Sequence, residues 1–252
     1  MFAPRHELAP TARFAGRAKD YARFRPSYPE AAIDYAIAGL PLDRGLLAAD
    51  IGAGTGISSR LFADRGIRVI AIEPNAEMRE SAEPHPDVSF RAGSGETTGL
   101  ESASVDLVVC AQAFHWFRGQ EALVEFRRIV KPGGRFVFLV NERGAGDPAT
   151  RAYNTAKRTA VERELSEGMR AAIDQALQSA GIEASARPFP FAQALTRDGL
   201  VGRARSASYV PKEGPRYEQL LRDLDDLWRA HHDDAGLVSL GYQTLVWRVD
   251  LR

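Results

Sequence analysis

Short apolar runs alternate with stretches of helical periodicity through the first part of the chain. The runs read "GLLAADIG", "IRVIAIEPN", "DVSFRAG", "SVDLVVCAQAFHWF" and "RFVFLVN". Most have the length and composition of buried strands. Segments such as "PEAAIDYAIAGL", with Pro29 in its first turn, and "GQEALVEFRRIVKPGG", which Pro132 ends, carry helix signals around and between them. This alternation predicts a doubly wound α/β fold with a mostly parallel sheet.

The rhythm changes after Asn141. Residues 150–180 are Ala-rich and helical in pattern, "PFPFAQALT" predicts an irregular strand, and "RDGLVGRARSASYV" predicts a short helix and turn. "RYEQLLRDLDDLWRAHHDDAG" has one apolar helical face, and the chain closes with "YQTLVWRVDL", an alternating run typical of a strand. The second part therefore predicts a small helical cap followed by a closing strand.

Composition and charge limit the classes of partner. The chain has 252 residues, 44% of them hydrophobic, and 33 acidic residues balance 33 basic ones. One sizeable core is possible, and no global field attracts nucleic acid or an anionic membrane. Neither a signal-peptide pattern nor a run of about 18 apolar residues is present, so we expect a cytoplasmic protein without a membrane segment or a nucleic-acid partner.

Two conspicuous features predict no special chemistry. The one cysteine, Cys110, lies in an apolar run and is expected to be a small buried hydrophobe. His231 and His232, followed by Asp233 and Asp234, lie at a predicted helix end without further residues at metal-ligand spacing. We expect this group to be solvated surface and predict no metal site.

A glycine-rich loop follows the first predicted strand, in "LLAADIGAGTGISSRLF". Glycine lets the backbone take positive φ and approach a ligand closely, and here Gly52, Gly54 and Gly56 alternate. The dinucleotide fingerprint needs its third glycine at the position of Ile57, so the spacing disfavours a nicotinamide dinucleotide. Glu73 ends the second strand about 20 residues after the loop begins, where a carboxylate can accept hydrogen bonds from ribose hydroxyls.

Four ordered motifs carry a family resemblance. "ADIGAGTG", "IEPNAEM", "VDLVVCAQAFHWF" and "RRIVKPGG" resemble the class I S-adenosylmethionine-dependent methyltransferases. The chain is most similar to the small-molecule branch that includes trans-aconitate methyltransferase, a likeness shared by "YARFRPSYP" and "RDGLVGRARSASYVP". The resemblance implies S-adenosyl-L-methionine as cofactor and a seven-stranded, Rossmann-like sheet with an antiparallel last strand.

We therefore predict one methyltransferase domain with four parts. These are an N-terminal arm over the cofactor site (1–28), a cofactor-binding core (29–141), a cap and acceptor-site segment (142–235) and a closing strand (236–252).

The resemblance also implies roles for matching residues. Asp50 and the loop of Gly52, Ala53 and Gly54 would face the methionine part of the cofactor, and Glu73 would hold the ribose. Pro74 and Met78 would border the adenine, and Ala111 and Gln112 would close the pocket. Gly56 and Glu96 are further candidates for binding the cofactor. Tyr21 and Arg25 are the candidates near the methionine end. Ser94 and Gly95, before Glu96, replace an acid and an alanine of many relatives, so the Ser94 hydroxyl or backbone groups would read the adenine edge.

The acceptor side has its own candidates. His115 is either a general base or a structural histidine beside Trp116, and Trp116 is either pocket wall or core. Arg205 and Tyr209 are the candidates for binding the acceptor, from the segment after Asn141.

Methyl transfer is an in-line displacement that requires alignment and exclusion of water rather than a nucleophilic residue. We predict transfer to a small molecule, with a carboxylic acid as the candidate class because it needs no base. A nicotinamide-dependent oxidoreductase and a non-catalytic cofactor-binding protein are the alternatives. The acceptor molecule, the role of His115 and the oligomeric state stay open.

Overall fold

Seven strands form one mixed sheet in the computed structural model, which describes residues 16–144, 146–161 and 168–251. The strands are β1 Leu47–Ile51, β2 Arg68–Ile72, β3 Val88–Arg91, β4 Val105–Ala111, β5 Val130–Arg143, β6 Arg187–Leu195 and β7 Val238–Asp250. Their order is β3-β2-β1-β4-β5-β7-β6. Neighbours from β3 to β5 pair in parallel, whereas β7 is antiparallel to both β5 and β6. The predicted fold class is confirmed, including the antiparallel last strand.

Helices precede the sheet and connect its strands, and one of them lies in the segment 1–28, where the sequence pattern predicted no helix. They are α1 Ala18–Phe24, α2 Glu30–Ile37, α3 Ile57–Ala63, α4 Ala76–Glu80, α5 Gly119–Ile129, α6 Pro148–Ala160, α7 Met169–Ser179, α8 Arg197–Arg205 and α9 Pro215–His231. Asn75, Asp147 and Thr196 cap α4, α6 and α8, each accepting a hydrogen bond from a backbone N–H of the first turn. Short polar residues thus fix where these helices begin.

The sheet is buried on both faces. Along β5, Phe136 and Phe138 belong to a core with Phe126 of α5, while Val137 and Leu139 point into a second core with α2 and α3. Alternate residues of a strand point to opposite faces, so a continuous apolar run fits a strand that is covered twice.

The cap has an apolar core of its own. Tyr153 of α6, Leu200 of α8 and Leu224 of α9 pack with Leu195 and Leu240, which lie on β6 and β7. The segment expected to be a cap (142–235) therefore also contains β6, the edge strand of the main sheet. Within the described residues, no helix combines the length and apolarity needed to cross a bilayer.

Candidate functional site

The glycine loop joins β1 to α3 and is built from positive-φ residues. φ is +73° at Gly52, +60° at Gly54 and +75° at Gly56, values that strain any residue with a Cβ. A Cβ on Gly52 would also lie 2.5 Å from the Cβ of Ala113. The loop therefore needs glycine for its own shape, and this leaves backbone groups exposed to the cavity beside it.

Glu73, directly after β2, fixes the loop from the side. Its Oε2 accepts a hydrogen bond from the Gly54 N–H, and its Oε1 accepts one from the Asn75 N–H, each at 2.9 Å. Burial raises the pKa of Glu73, and the two backbone donors oppose that change. Each carboxylate oxygen keeps a further acceptor site, and the side chain lines the cavity.

Asp50 lies beneath the loop rather than in the cavity. It is completely buried, and its Oδ2 accepts hydrogen bonds from the hydroxyls of Ser58 and Ser59, both at 2.6 Å. Burial raises the pKa of Asp50 to about 6, against the effect of these bonds. This carboxylate ties the end of β1 to the first turn of α3, and its contact with a ligand stays a prediction.

A cavity of about 1050 Å³ opens at the carboxyl ends of the parallel strands. Ligands of open α/β sheets bind at this edge, where the strand order reverses. The cavity is lined by most of the residues predicted from the sequence: Tyr21, Arg25, Gly52, Ala53, Gly54, Glu73, Pro74, Met78, Ser94, Glu96, Ala111, Gln112, His115, Trp116 and Tyr209. The cofactor side and the acceptor side of the prediction therefore share one space.

Gly56 and Gly95, two predicted cofactor contacts, do not line this cavity. A Cβ on Gly56 would lie 2.8 Å from the ring of Phe90, and one on Gly95 would lie 2.6 Å from the ring of Phe117. Aromatic packing against the backbone favours glycine at both positions, and their contact with a cofactor stays a prediction.

Gln112 closes the cavity where β4 ends. Its backbone has φ +57°, uncommon for a residue with a side chain, and its Nε2 donates to the Asn141 carbonyl at 3.0 Å. Asn141 in turn donates to the Ser27 carbonyl at 2.9 Å. The ends of β4 and β5 are thus joined to the segment that follows α1.

His115 and Trp116 form an aromatic wall in a single 3₁₀ turn after β4. Their ring centroids are 4.7 Å apart, and both side chains line the cavity, as does Phe117. The geometry supports the wall that was proposed for Trp116. The role of His115 as a base stays a prediction.

Of the two arginines on α8, Arg203 lines the cavity and Arg205 does not, and the role predicted for Arg205 in binding an acceptor stays a prediction. Arg203 lines the cavity and donates from Nε to the Tyr242 hydroxyl at 3.2 Å. Arg205 does not line it, and its guanidinium lies 5.7 Å from the Tyr217 ring centroid. Positions two apart on a helix face different sides, so α8 presents one of these arginines to the cavity and turns the other away.

Sequence reasoning missed a basic group that completes the cavity. Lys157 and Arg143 line it together with Asn154, and Lys157 donates to the Tyr209 hydroxyl at 2.6 Å. The available signal was the position of Lys157 four residues after Tyr153, on the buried stripe of α6. A lysine on the apolar face of a helix is predicted to be buried, and a buried lysine indicates a structural or binding role.

Arg25, directly after α1, is another cation that lines the cavity. Its guanidinium lies 4.7 Å from the Tyr21 ring centroid, and its buried Nε has no hydrogen-bond partner in the described part of the chain. Burial lowers the pKa of Arg25, and Arg203 lowers it further. A buried hydrogen-bond donor without a partner fits a site whose ligand supplies the hydrogen-bond acceptor.

The histidine–aspartate group at the end of α9 has structural contacts. His232 stacks on Trp228 with ring centroids 4.4 Å apart, and Asp233 accepts from the N–H groups of Ala235 and Leu237. In the described ranges, no group of three or more His, Cys, Asp or Glu residues is placed to hold a metal ion.

Residues 49–138 match the family model described as a methyltransferase domain. An uncharacterized methyltransferase-like protein of Schizosaccharomyces pombe is 38% identical over 126 residues, or 49% of each chain. An uncharacterized methyltransferase of Mycobacterium tuberculosis is 38% identical over 124 residues, again 49% of each chain. The matched segment therefore spans about half the length of these curated relatives.

Solved structures share the fold. A candidate type II methyltransferase from Anaeromyxobacter dehalogenans superposes with a TM-score of 0.60 at 21% identity, covering 90% of this chain and 98% of that one. The cyclase SpnF superposes with a TM-score of 0.52 at 16% identity, covering 97% and 98%. These likenesses show a Rossmann-like methyltransferase fold, and the domain match supports the enzyme class that the motifs predict. The trans-aconitate methyltransferase-like branch stays a prediction.

Proposed function

We propose that the protein transfers a methyl group from S-adenosylmethionine to a small-molecule acceptor that carries carboxylate groups. The observation that carries this proposal is the composition of the cavity beside the glycine loop. Its loop side has the glycines and Glu73, and its other side has Arg25, Arg143, Lys157 and Arg203. Guanidinium and ammonium groups are the natural partners of carboxylates.

The loop side fits the proposed cofactor. Both oxygens of Glu73 face backbone donors and retain lone pairs for ribose hydroxyls. A Cβ on Gly54 would lie 3.3 Å from the Met78 methyl and 3.5 Å from the Tyr21 ring, so glycine keeps this side open. Glu73, the glycines and Met78 would hold the cofactor, which supplies an electrophilic methyl group when bound.

The remaining residues position the acceptor. The four cations would fix its carboxylates, and the wall of His115, Trp116 and Phe117 would exclude water from the reacting atoms. A carboxylate oxygen is already a nucleophile, so in this proposal no residue has to remove a proton. His115 then shapes the pocket. The anionic acceptor also agrees with the resemblance to the branch that acts on small acids.

Calorimetry with S-adenosylhomocysteine and with NAD tests the cofactor half. We expect binding of S-adenosylhomocysteine alone, weakened at least tenfold by Glu73→Gln. Glu83→Gln serves as the control, because this carboxylate is 77% exposed in a surface ion pair with Arg60. Binding of NAD would support the oxidoreductase alternative and contradict the proposal that S-adenosylmethionine is the cofactor.

Turnover tests the acceptor half. Radiolabelled methyl from S-adenosylmethionine should appear in members of a panel of mono-, di- and tricarboxylic acids and not in their amides. Cofactor binding without transfer to any acid, alcohol or amine would favour a non-catalytic binding protein.

A further inference from the structure

Lys157 occupies an unusual place for a lysine. It is only 3% exposed, and its Nζ lies 4.7 Å from the ring centroid of Tyr209 while donating to the hydroxyl of that residue. No ion pair among the described residues includes Lys157. A buried ammonium without a carboxylate is costly, and such a group tends to lose its proton instead.

Among the described residues, the charged groups that change the pKa of Lys157 are all cations. Glu142 and Asp174 also line the cavity but are not among the groups that change this pKa. Arg143 approaches from β5, Arg203 from α8 and Arg25 from the end of α1. Burial lowers the pKa of Lys157 well below its ordinary value, and these three guanidinium groups lower it further. The other neighbours are phenols: Tyr153 on the same helix, Tyr209 after α8, and Tyr242 on β7, which Arg203 contacts.

We propose that Lys157 is a proton-coupled specificity residue: it is a neutral amine in the free enzyme and takes up one proton when an acceptor carboxylate enters. This inference rests on the proposed function, because it assigns the acceptor a negative charge. The hydrogen bond with Tyr209 fits both states. The phenol O–H donates to the neutral amine, and the ammonium donates to the phenol oxygen.

The consequence is a charge filter. A bound carboxylate supplies the counter-charge that Lys157 lacks. Nζ therefore takes up a proton from solvent, and the ammonium and the carboxylate form an ion pair. An uncharged acceptor of the same shape offers no such compensation and leaves the amine neutral. Acceptor affinity should therefore fall as the pH rises from the pKa of Lys157 in the free protein to its higher pKa in the complex, while cofactor affinity should not follow this curve.

Carbon NMR on protein with 13Cε-labelled lysine tests the free state. The chain has only four lysines, Lys19, Lys131, Lys157 and Lys212, so each resonance can be assigned by a single Lys→Arg variant. We expect the Lys157 signal to titrate at clearly lower pH than the other three. Titration together with them would overturn the proposal, and this readout requires neither substrate nor turnover.

Anion addition tests the coupling. With S-adenosylhomocysteine present near neutral pH, succinate or tricarballylate should move the Lys157 signal toward its protonated position. Calorimetry in two buffers of different ionisation enthalpy should show uptake of one proton. Succinamide should do neither. No response to either acid would overturn the coupling even if methyl transfer to an uncharged acceptor were found.

Three variants complete the test. Lys157→Met should weaken succinate binding by about 10–100-fold, the range for hydrogen bonds to charged groups. Lys157→Arg should bind the acid without proton uptake, because its charge is permanent. Lys131→Met is the matched control, since Lys131 forms a surface ion pair with Asp106, and it should change neither binding nor uptake.

Discussion

At the scale of single residues, two buried carboxylates next to the glycine loop have different structural roles. Glu73 holds the loop from the cavity side and keeps acceptor sites for a ligand, whereas Asp50 holds it from beneath through Ser58 and Ser59. Of the two, only Glu73 lines the cavity. The role of Asp50 should therefore be visible in stability rather than in binding.

Asp50 gives a pH-dependent prediction for stability. Its pKa is raised from 3.8 to about 6 by burial, so the native state holds a proton that the unfolded state loses at lower pH. Between these values the unfolded state binds fewer protons, and stability falls as the pH rises, by on the order of 3 kcal/mol in total.

Denaturant unfolding of the wild type and Asp50→Asn across this range measures the effect. The stability advantage of the wild type over the variant should shrink as the pH rises from about 4 to about 7. Asp34→Asn, an exposed partner of Arg65, provides the control and should show no such slope. A constant difference at all pH values would contradict the assignment.

Arg203 and Arg205 give a paired prediction for binding. Arg203→Gln removes a cavity-lining cation and should raise the acceptor KM by about 10–100-fold, with little change in cofactor affinity. Arg205→Gln changes a side chain outside the cavity and should leave KM within about threefold. Steady-state kinetics with any acid that turns over decides between them, and equal effects would contradict the placement on α8.

His115→Ala tests the base at the same scale. With a carboxylate acceptor, the variant should lose less than about 100-fold in kcat, because general base catalysis alone is worth about 10²–10⁴-fold. A loss of several thousandfold with unchanged acceptor binding would show that His115 removes a proton.

The sequence could predict the loop and Glu73 because their roles depend on order along the chain. Gly52 and Gly54 follow a strand, Glu73 ends the next one, and parallel strands bring both to the same edge. That Lys157 and Arg203 line the cavity could not be predicted from the sequence, because this depends on helix phase and on which elements pack around them. The complete burial of Asp50 depends on packing in the same way.

At the scale of elements, Arg17 joins the N-terminal arm to the acceptor side. This buried guanidinium donates to the carbonyls of Arg205, Ala207 and Val210 at 2.5, 2.9 and 2.6 Å. These carbonyls lie at the end of α8 and just beyond it, around the turn that carries Tyr209. The start of α1 and the Tyr209 turn are thus held as one unit.

Arg17→Met should loosen that unit. Three carbonyls lose a charged donor, so we expect a loss of about 2–3 kcal/mol in unfolding free energy and a rise in acceptor KM. Arg23→Met is the control, because Arg23 is exposed and lies over the Phe24 ring. Arg17→Lys should recover part of the loss. Unchanged melting and kinetics in Arg17→Met would refute this role.

Element boundaries in the second half were harder to predict than those in the first. "PFPFAQALT" was expected to form an irregular strand, yet β6 is a regular edge strand that contains Pro188 and Pro190. Prolines are tolerated there because an edge strand does not need every backbone donor. The position of β6 beyond β7 could not be deduced from its own residues.

At the scale of the whole molecule, the cavity belongs to both halves of the chain. The methyltransferase domain match ends at residue 138, before Arg143, Lys157 and Arg203. The glycine loop, Glu73 and the wall of His115, Trp116 and Phe117 lie inside the matched domain, whereas these three cations lie outside it. The acceptor has to be identified for this chain by experiment.

Ligand binding should stabilise this molecule as one unit. S-adenosylhomocysteine at about 100 times its Kd adds about 2.7 kcal/mol, which corresponds to a rise in Tm of about 5–10 °C. A single calorimetric transition should shift as a whole, and Glu73→Gln should abolish most of the shift at the same concentration. Two transitions, with only one of them responsive, would show that the cap unfolds independently.

The place of β7 in the sheet also has a consequence for how the protein is made. β6 reaches the sheet only through β7, and β7 pairs with β5 across 115 residues, as between Arg135 and Asp250. β5 and β6 therefore leave the ribosome with unpaired edges, and these edges stay unpaired until β7 has been translated. Unpaired strand edges invite aggregation, so a ribosome that stalls before β7 should release an insoluble chain even though the glycine loop is already complete.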